Sequence, residues 1–464
     1  MNPLSPSSLA AFRATVRGAV ILPSDQNYDE IRSVWNAMID RRPALIVQCT
    51  GTADVRASLA FARAEDLPIS IRGAGHNIAG TALADDVLMI DLSLLRSVSV
   101  NPVTQRVFAG PGATLGDIDH ETKEYGLAVP TGINSTTGIS GLVLGGGIGW
   151  LTRRYGMTVD NLVSCEVVTA EGDIVTASAS ENSDLFWALR GGGGNFGIVT
   201  HWEFAAHPIA NVFAGLVVFP AAERASVMQH YKVFVSSLST TTSVWVVMRK
   251  APPLPFLSTE VHGQDVMILA ICHTGDPNEG EACLGKVKAF GNPHGVHAGV
   301  MPFAAWQQAF DPLLTPGARN YWKSHNFIEL PEKMTDALID FASKSPHPES
   351  ELFIAHLAGH ANTIAPDATA YGHRHTKFLV NVHGRWQDAA DDDACRQWAR
   401  DLFDATKPFA AHGVYINFMT GDETARVQEG FGANYERLVS LKSQYDPRNV
   451  FNLNQNIKPV SAGA

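Results

Sequence analysis

Three short glycine-rich segments hold the residues with the clearest chemical meaning in this chain: RGAGH at 72–76, GGGIG at 145–149 and GGGGNFG at 191–197. Glycine backbone lets N–H groups approach a ligand closely, and clusters of such groups bind phosphate. A dinucleotide fingerprint of the Rossmann type needs a strand before its glycines and a helix after them. Around 191–197 that order is reversed, and 145–149 has no clear strand before it. No GxxxxGK[ST] stretch occurs. Three loops so close together point to a long, phosphate-bearing ligand laid across a non-Rossmann fold. A second histidine-rich pattern, His356 and His360 followed by His373 and His375, has no HExxH and no cysteine at ligand spacing, so no metal site is read from it.

The elements that must position these loops are legible from periodicity. ALIVQC (44–49), a helical stretch with Thr52 as its N-cap, and PISIRG (68–73) form a strand–helix–strand unit, which implies parallel pairing and runs directly into the first loop. Short β-runs follow at 87–92, 97–102 and 105–111. The segment 162–177 reads as a hairpin turning at Glu171–Gly172–Asp173, and 180–190 as a short capped helix feeding the third loop. After about residue 209 the glycine clusters end, and β-runs at 243–250, 265–273, 351–358 and 378–386 alternate with helical stretches, as in an α+β unit built on an antiparallel sheet. The tail segments 413–418 and 445–457, rich in Asn and Tyr, read as a return to the first half.

Composition narrows the function classes. The chain has 464 residues, and 35 Lys+Arg against 46 Asp+Glu give a formal net charge of −11. That balance argues against a nucleic-acid partner, because phosphate neutralisation needs Lys and Arg, and against an anionic membrane surface. No apolar run is long enough for a membrane span and no signal peptide is evident, and the five scattered cysteines form no CxxC pair; the expectation is a cytoplasmic protein with reduced thiols. The length suits two domains.

RGAGHNIAG (72–80), PTGINSTTGISGLVLGGGIGWLTRRYGMTVDNL (130–162), DLFWALRGGGGNFGIVT (184–200) and NLNQNI (452–457) together resemble the FAD-linked oxidases of the vanillyl-alcohol oxidase/PCMH superfamily, in the berberine-bridge-enzyme-like branch. The resemblance implies an α+β fold with a PCMH-type FAD-binding domain of two α+β subdomains over 1–209. A substrate-binding domain, an antiparallel sheet covered by helices, is implied over 210–410, and a return to the FAD-binding domain over 411–464. It further implies that Arg72, Gly73, Ala74, Gly75 and His76 wrap the pyrophosphate, with Asn77 and Gly80 beside them, and that the His76 imidazole is bonded to the flavin 8α-methyl. Relatives with a second link carry a cysteine in G-x-C-P-T; this chain has GINST, with Asn134 at that place, so a single covalent bond through His76 is expected.

By the same resemblance Thr131, Gly132, Thr136, Gly138, Gly141, Gly145, Gly146, Gly147, Gly149 and Trp150 line the pyrophosphate and ring. Asn161, Gly194, Asn195, Gly197, Ile198 and Val199 hold the ribose and adenine, and Tyr415, Asn417 and Asn454 close over the flavin from the tail. Thr137 stands where family members gate oxygen, and its small side chain fits an oxidase. On the substrate side Tyr321 and Lys323, in RNYWKSHNF (319–327), are candidates for substrate orientation or proton transfer. Trp245, Phe353, His356 and His383 lie on other expected strands. A one-residue slip in register reverses every such assignment. The implied activity is hydride removal from a small organic alcohol, amine or phenolic, with O2 as acceptor and hydrogen peroxide as product. A flavin-dependent oxygenase, a dehydrogenase using another acceptor, and a carbohydrate oxidase stay open at this point. So does the choice between monomer and homodimer.

Overall fold

A computed structural model describes residues 4–460. The strand–helix–strand unit forms as its sequence dictates, and it builds a four-stranded sheet. The strands are β1 (Ala19–Ile21), β2 (Leu45–Gln48), β3 (Ile69–Arg72) and β4 (Leu88–Asp91), in the order β1-β2-β4-β3. β2 and β3 do not pair with each other; β4 lies between them, parallel to both. The helix Thr52–Ala64 starts one residue earlier in its capping than expected, with Gly51 at the cap, because the Thr52 hydroxyl donates to Glu166 Oε1 at 3.0 Å.

Seven strands follow: β5 (Val98–Asn101), β6 (Arg106–Ala109), β7 (Leu127–Ala128), β8 (Leu162–Val168), β9 (Ile174–Ser178), β10 (Ile198–Ala205) and β11 (His207–Pro208). Five of them form an antiparallel sheet in the order β5-β6-β10-β8-β9, and β7 pairs with β11. The expected hairpin is β8–β9, with Gly172 at its turn and φ +90°. The four- and five-stranded sheets correspond to the two α+β subdomains that the resemblance implies.

The remaining strands are β12 (Asn211–Pro220), β13 (Thr242–Lys250), β14 (Asp265–His273), β15 (Gly295–Pro302), β16 (Arg319–Phe327), β17 (Glu351–His356) and β18 (Phe378–Trp386). They form one antiparallel sheet in the order β15-β12-β14-β13-β17-β18-β16. Alternation gives the sheet two apolar faces. Val244, Val246 and Met248 of β13, Leu352 and Ile354 of β17 and Val380 and Val382 of β18 point to one face, into a core with helices Arg224–Ser236, Glu332–Ala342 and Asp392–Thr406. The last helix meets it with Cys395, Trp398, Ala399 and Leu402, the spacing of a single helical face. Trp245, Ala270, Phe353, Ala355 and Leu379 point to the opposite face, into the core shared with the glycine-rich loops.

The tail packs onto those loops. The Lys442 ammonium, fully buried, bonds Asp446 Oδ2 at 2.6 Å and the carbonyls of Asn195 and Phe451 at 2.9 Å. Among the described residues no helix is long and apolar enough to cross a membrane.

Candidate active site

A cavity of about 350 Å3 lies between the glycine-rich loops and the antiparallel sheet. β3 runs straight into the first loop, where Gly73, Ala74, Gly75, His76 and Asn77 line the cavity. The second region supplies Gly132, Asn134, Thr137, Gly138, Gly141, Gly145 and Trp150, the third Gly194, Gly197, Ile198 and Val199, and the tail Tyr415, Asn417 and Asn454. Elements spread over more than 380 positions of sequence thus converge on one space.

Several expected ligand residues serve the loops instead. The Arg72 guanidinium turns from the cavity to the Ile31 carbonyl and to Asp91, which is completely buried. A side chain at Gly80 would meet Ile39. Thr131 is bonded by Gln307 Nε2 at 3.2 Å. Gly146 and Gly147 have positive φ and turn the chain tightly against Met157 and Thr158, and a Cβ at Gly149 would meet the Thr131 carbonyl. Asn161 donates to the carbonyls of Tyr155 and Met157, and Asn195 ties the third loop to Gln455 and Ile457. Thr136 does not line the cavity but bonds His76, which does.

His76 is stacked on Trp35 with centroids 5.0 Å apart, and its Nε2 lies 2.8 Å from Thr136 Oγ1. Burial pushes its pKa down to about 3, so the ring is neutral. The loop that holds Thr136 is fixed by Asp311, which accepts from the Ser135 N–H at 3.0 Å and from its hydroxyl. The Tyr415 hydroxyl accepts the Gly147 N–H at 3.0 Å, and Asn417 Nδ2 donates to the Leu142 carbonyl at 3.0 Å.

The residues fit a long cofactor. A Cβ added at Gly141 would meet no atom within 4 Å, and one at Gly194 would meet only Asn454 Nδ2 at 3.8 Å. At these two positions glycine leaves room that no part of the protein fills. Beside them Asn454 donates its Nδ2 to Gly194 O at 2.9 Å, while its Oδ1 is buried without a partner. An orphaned buried acceptor costs free energy unless a ligand donor reaches it.

The opposite wall comes from one face of the sheet: Trp245, Val247 and Arg249 of β13, Glu351 and Phe353 of β17, Trp322 of β16 and His383 of β18. The expected pair on β16 is on the other face. Tyr321 donates to Asp422 Oδ2 at 2.6 Å and accepts from Arg400, and Lys323 bonds Asp422 Oδ1 at 2.9 Å and Thr420 Oγ1 at 3.1 Å. Lys323 is also 3.3 Å from Glu423; burial works against its charge, but these carboxylates outweigh that and raise its pKa. Both residues therefore anchor the 420–423 segment, and neither lines the cavity. His356 likewise misses it and stacks on Phe378. Trp245, Phe353 and His383 do line it.

Four residues without a motif complete the wall: Trp35, Arg249, Glu351 and Phe418. Arg249 Nη1 donates to Glu351 Oε2 at 2.6 Å, and Glu351 Oε1 is 3.6 Å from His383 Nδ1. Burial disfavours the Glu351 charge, yet Arg249 and His383 more than offset it and hold the pKa at about 2. Burial lowers the His383 pKa, with Glu351 opposing. His383 also meets Asn320 Oδ1 at 3.1 Å through Nε2 and Trp322 edge-to-face at 4.6 Å.

Comparison with known proteins agrees with this geometry. Residues 43–178 match the family described as FAD binding domain, and residues 414–458 the family described as berberine and berberine like. An uncharacterized FAD-linked oxidoreductase, YgaK of Bacillus subtilis, is 30% identical over 462 residues, 97% of this chain and 98% of the relative. The chain belongs to the FAD-linked oxidoreductases. It is also 28% identical to the (R)-6-hydroxynicotine oxidase of Paenarthrobacter nicotinovorans over 98% of this chain and 99% of that protein. The crystal structure of 6-hydroxy-D-nicotine oxidase from Arthrobacter nicotinovorans superimposes with a TM-score of 0.84 at 26% identity, covering 96% of this chain and 98% of that one. Within the FAD-linked oxidoreductases, the PCMH-type fold and the berberine-like tail place this chain in the berberine-bridge-like branch. The FAD-binding match thus takes in the first two glycine-rich loops, and the sheet face is the wall of the cavity opposite them.

Proposed function

We propose that this FAD-linked oxidoreductase is an oxidase of small, largely apolar alcohols, amines or phenolics, with FAD bonded covalently through His76 alone. The observation that carries the reading is the cavity itself, with glycine-rich backbone and His76 on one side and an aromatic sheet face bearing a single ion pair on the other.

When bound, FAD supplies the two-electron chemistry, accepting a hydride equivalent from substrate and passing the electrons to O2 as hydrogen peroxide. The protein supplies the rest. Trp245, Phe353, Trp322 and Phe418 present flat apolar surface for an aromatic or alicyclic body, with Trp245 and Phe353 near-parallel at 6.1 Å. A sugar, with hydroxyls around its whole ring, needs more polar partners than Arg249, Glu351 and His383 offer, which favours the apolar class over a carbohydrate. His383 is neutral and takes the substrate O–H or N–H proton on Nδ1; Glu351, ionised beside it, stabilises the imidazolium that results. Arg249 keeps Glu351 ionised in its buried place. Thr137 lines the cavity, and its small side chain fits access of O2 to the ring. Asn134, at the place of the second link in relatives that have one, cannot form a thioether, which leaves His76 as the anchor.

The test is a panel of benzylic alcohols, cyclic amines and phenols beside oligosaccharides, with peroxide measured per substrate oxidised. Stoichiometric peroxide from the first group supports the reading. Turnover confined to oligosaccharides overturns the substrate class, oxygen inserted into product overturns the oxidase, and oxidation that runs only with an added quinone overturns O2 as acceptor.

A further inference from the structure

We infer that Asn134 and Thr136 set the tautomer of His76, directing the covalent flavin bond to Nδ1. The proposal rests on the covalent reading above and extends it to Thr136, which touches His76, and to Asn134, which lines the cavity and holds Thr136.

The hydrogen-bond directions follow from donor counting. The Thr136 backbone N–H donates to Asn134 Oδ1 at 3.0 Å, which fixes that atom as the amide oxygen. The Thr136 hydroxyl, 2.8 Å from the same oxygen, can only donate to it. Its single proton is then used, so Thr136 Oγ1 accepts from His76, and the proton between them belongs to His76 Nε2 at 2.8 Å. A neutral imidazole with its proton on Nε2 carries its lone pair on Nδ1. Among the described residues nothing bonds to Nδ1, while Trp35 stacked on the ring limits its rotation. Asn134 is 9% exposed, so the inner end of the chain, Thr136 Oγ1–H to Asn134 Oδ1, is anchored on a buried amide, while Thr136 itself reaches the surface.

In the attachment a bond forms between Nδ1 and the flavin C8α. One proton leaves C8α and one leaves Nε2, and the electron pair released from the C8α–H bond reduces the flavin ring. Molecular oxygen takes up that pair with two protons and leaves as hydrogen peroxide, so the net change is loss of two hydrogens. Nδ1 has its lone pair in place before the reaction, and no tautomer exchange has to precede bond formation. Thr136 and Asn134 are positioning residues in this step.

The experiment uses the full chain and compares wild type with Thr136→Val, Thr136→Ser and Asn134→Ala. Total flavin, the fraction retained on the chain after acid denaturation, the rate at which that fraction grows on adding FAD, and the linked nitrogen from NMR of the flavin peptide are measured. Expected is an Nδ1 linkage in wild type, with attachment slowed about tenfold in Thr136→Val and Asn134→Ala, the scale of one hydrogen-bond preference. Thr136→Ser, which keeps the hydroxyl, restores the rate. An Nε2 linkage in wild type, or a Thr136→Val chain that attaches flavin at the wild-type rate, overturns the relay and leaves covalent attachment standing. A wild-type chain that releases all its flavin overturns both.

Discussion

The Tyr415 hydroxyl and the Gly147 N–H, 268 positions apart in sequence, are joined by a buried hydrogen bond of 3.0 Å. The same hydroxyl accepts from Asn417 Nδ2 at 3.0 Å, so one phenol ties the C-terminal tail to the second glycine-rich loop. Removing it leaves a buried N–H without a partner, which costs about 1–3 kcal/mol. Tyr415→Phe is expected to lower the thermal midpoint and weaken flavin retention together, measured by thermal denaturation of FAD-loaded protein and by flavin content.

Gly141 separates folding from cofactor binding. Its Cβ direction is open in the protein, so Gly141→Ala introduces no internal clash. The variant is expected to keep the circular dichroism and thermal midpoint of the flavin-free chain, while flavin content at purification drops severalfold. Loss of folding in the flavin-free variant would show that protein packing, not a ligand, demands glycine there.

Trp322 and Lys323 are neighbours with opposite duties. Trp322→Ala is expected to leave stability nearly unchanged relative to its effect on kcat/KM, because the indole lines the cavity. Lys323→Met strips Asp422 and Glu423 of a cation and is expected to destabilise by roughly 3 kcal/mol, the low end for breaking a buried pair because Asp422 is partly exposed, with turnover of the remaining folded enzyme preserved. Denaturant titration beside steady-state kinetics separates the two.

The acid limb of activity follows from Glu351 and His383. Glu351 has its folded pKa lowered to about 2, so its contribution to stability is present above its unfolded value and is lost as pH falls from about 4.3 toward 2. His383 is also lowered by burial, so the folded chain keeps it neutral where a free histidine is protonated, and stability is lost as pH falls below about 6.5. The kcat/KM profile is therefore expected to hold its plateau below pH 6.5. Glu351→Gln, which removes the charge that stabilises the protonated base, is expected to reduce kcat by about 100-fold. A wild-type profile that falls with a midpoint near 6.5 contradicts the assignment of His383 as base.

The loops and the strand runs were legible because glycine clustering and β-runs are local signals. The face of each substrate-side strand was not. All nine residues of β18 are buried, as are seven of nine in β16, since one face packs on helices and the other on the FAD-binding half. Where both faces are buried, alternation of polar and apolar residues fades and register loses its sequence marker. Tyr321 and Lys323 accordingly resembled site residues while Trp322 did not. Arg249 and Glu351, 102 positions apart, carry no spacing signal, and their 2.6 Å contact exists only once β13 and β17 pair. Trp35 was hidden for the same reason, reaching His76 from a segment with no motif of its own.

Covalent attachment through His76 is tested most directly by acid precipitation of the purified protein, followed by mass spectrometry of its digest. The expected result is a yellow pellet with the FAD adduct on the peptide containing His76, and none on any cysteine peptide. Flavin released to the supernatant, or an adduct on any other residue, contradicts it.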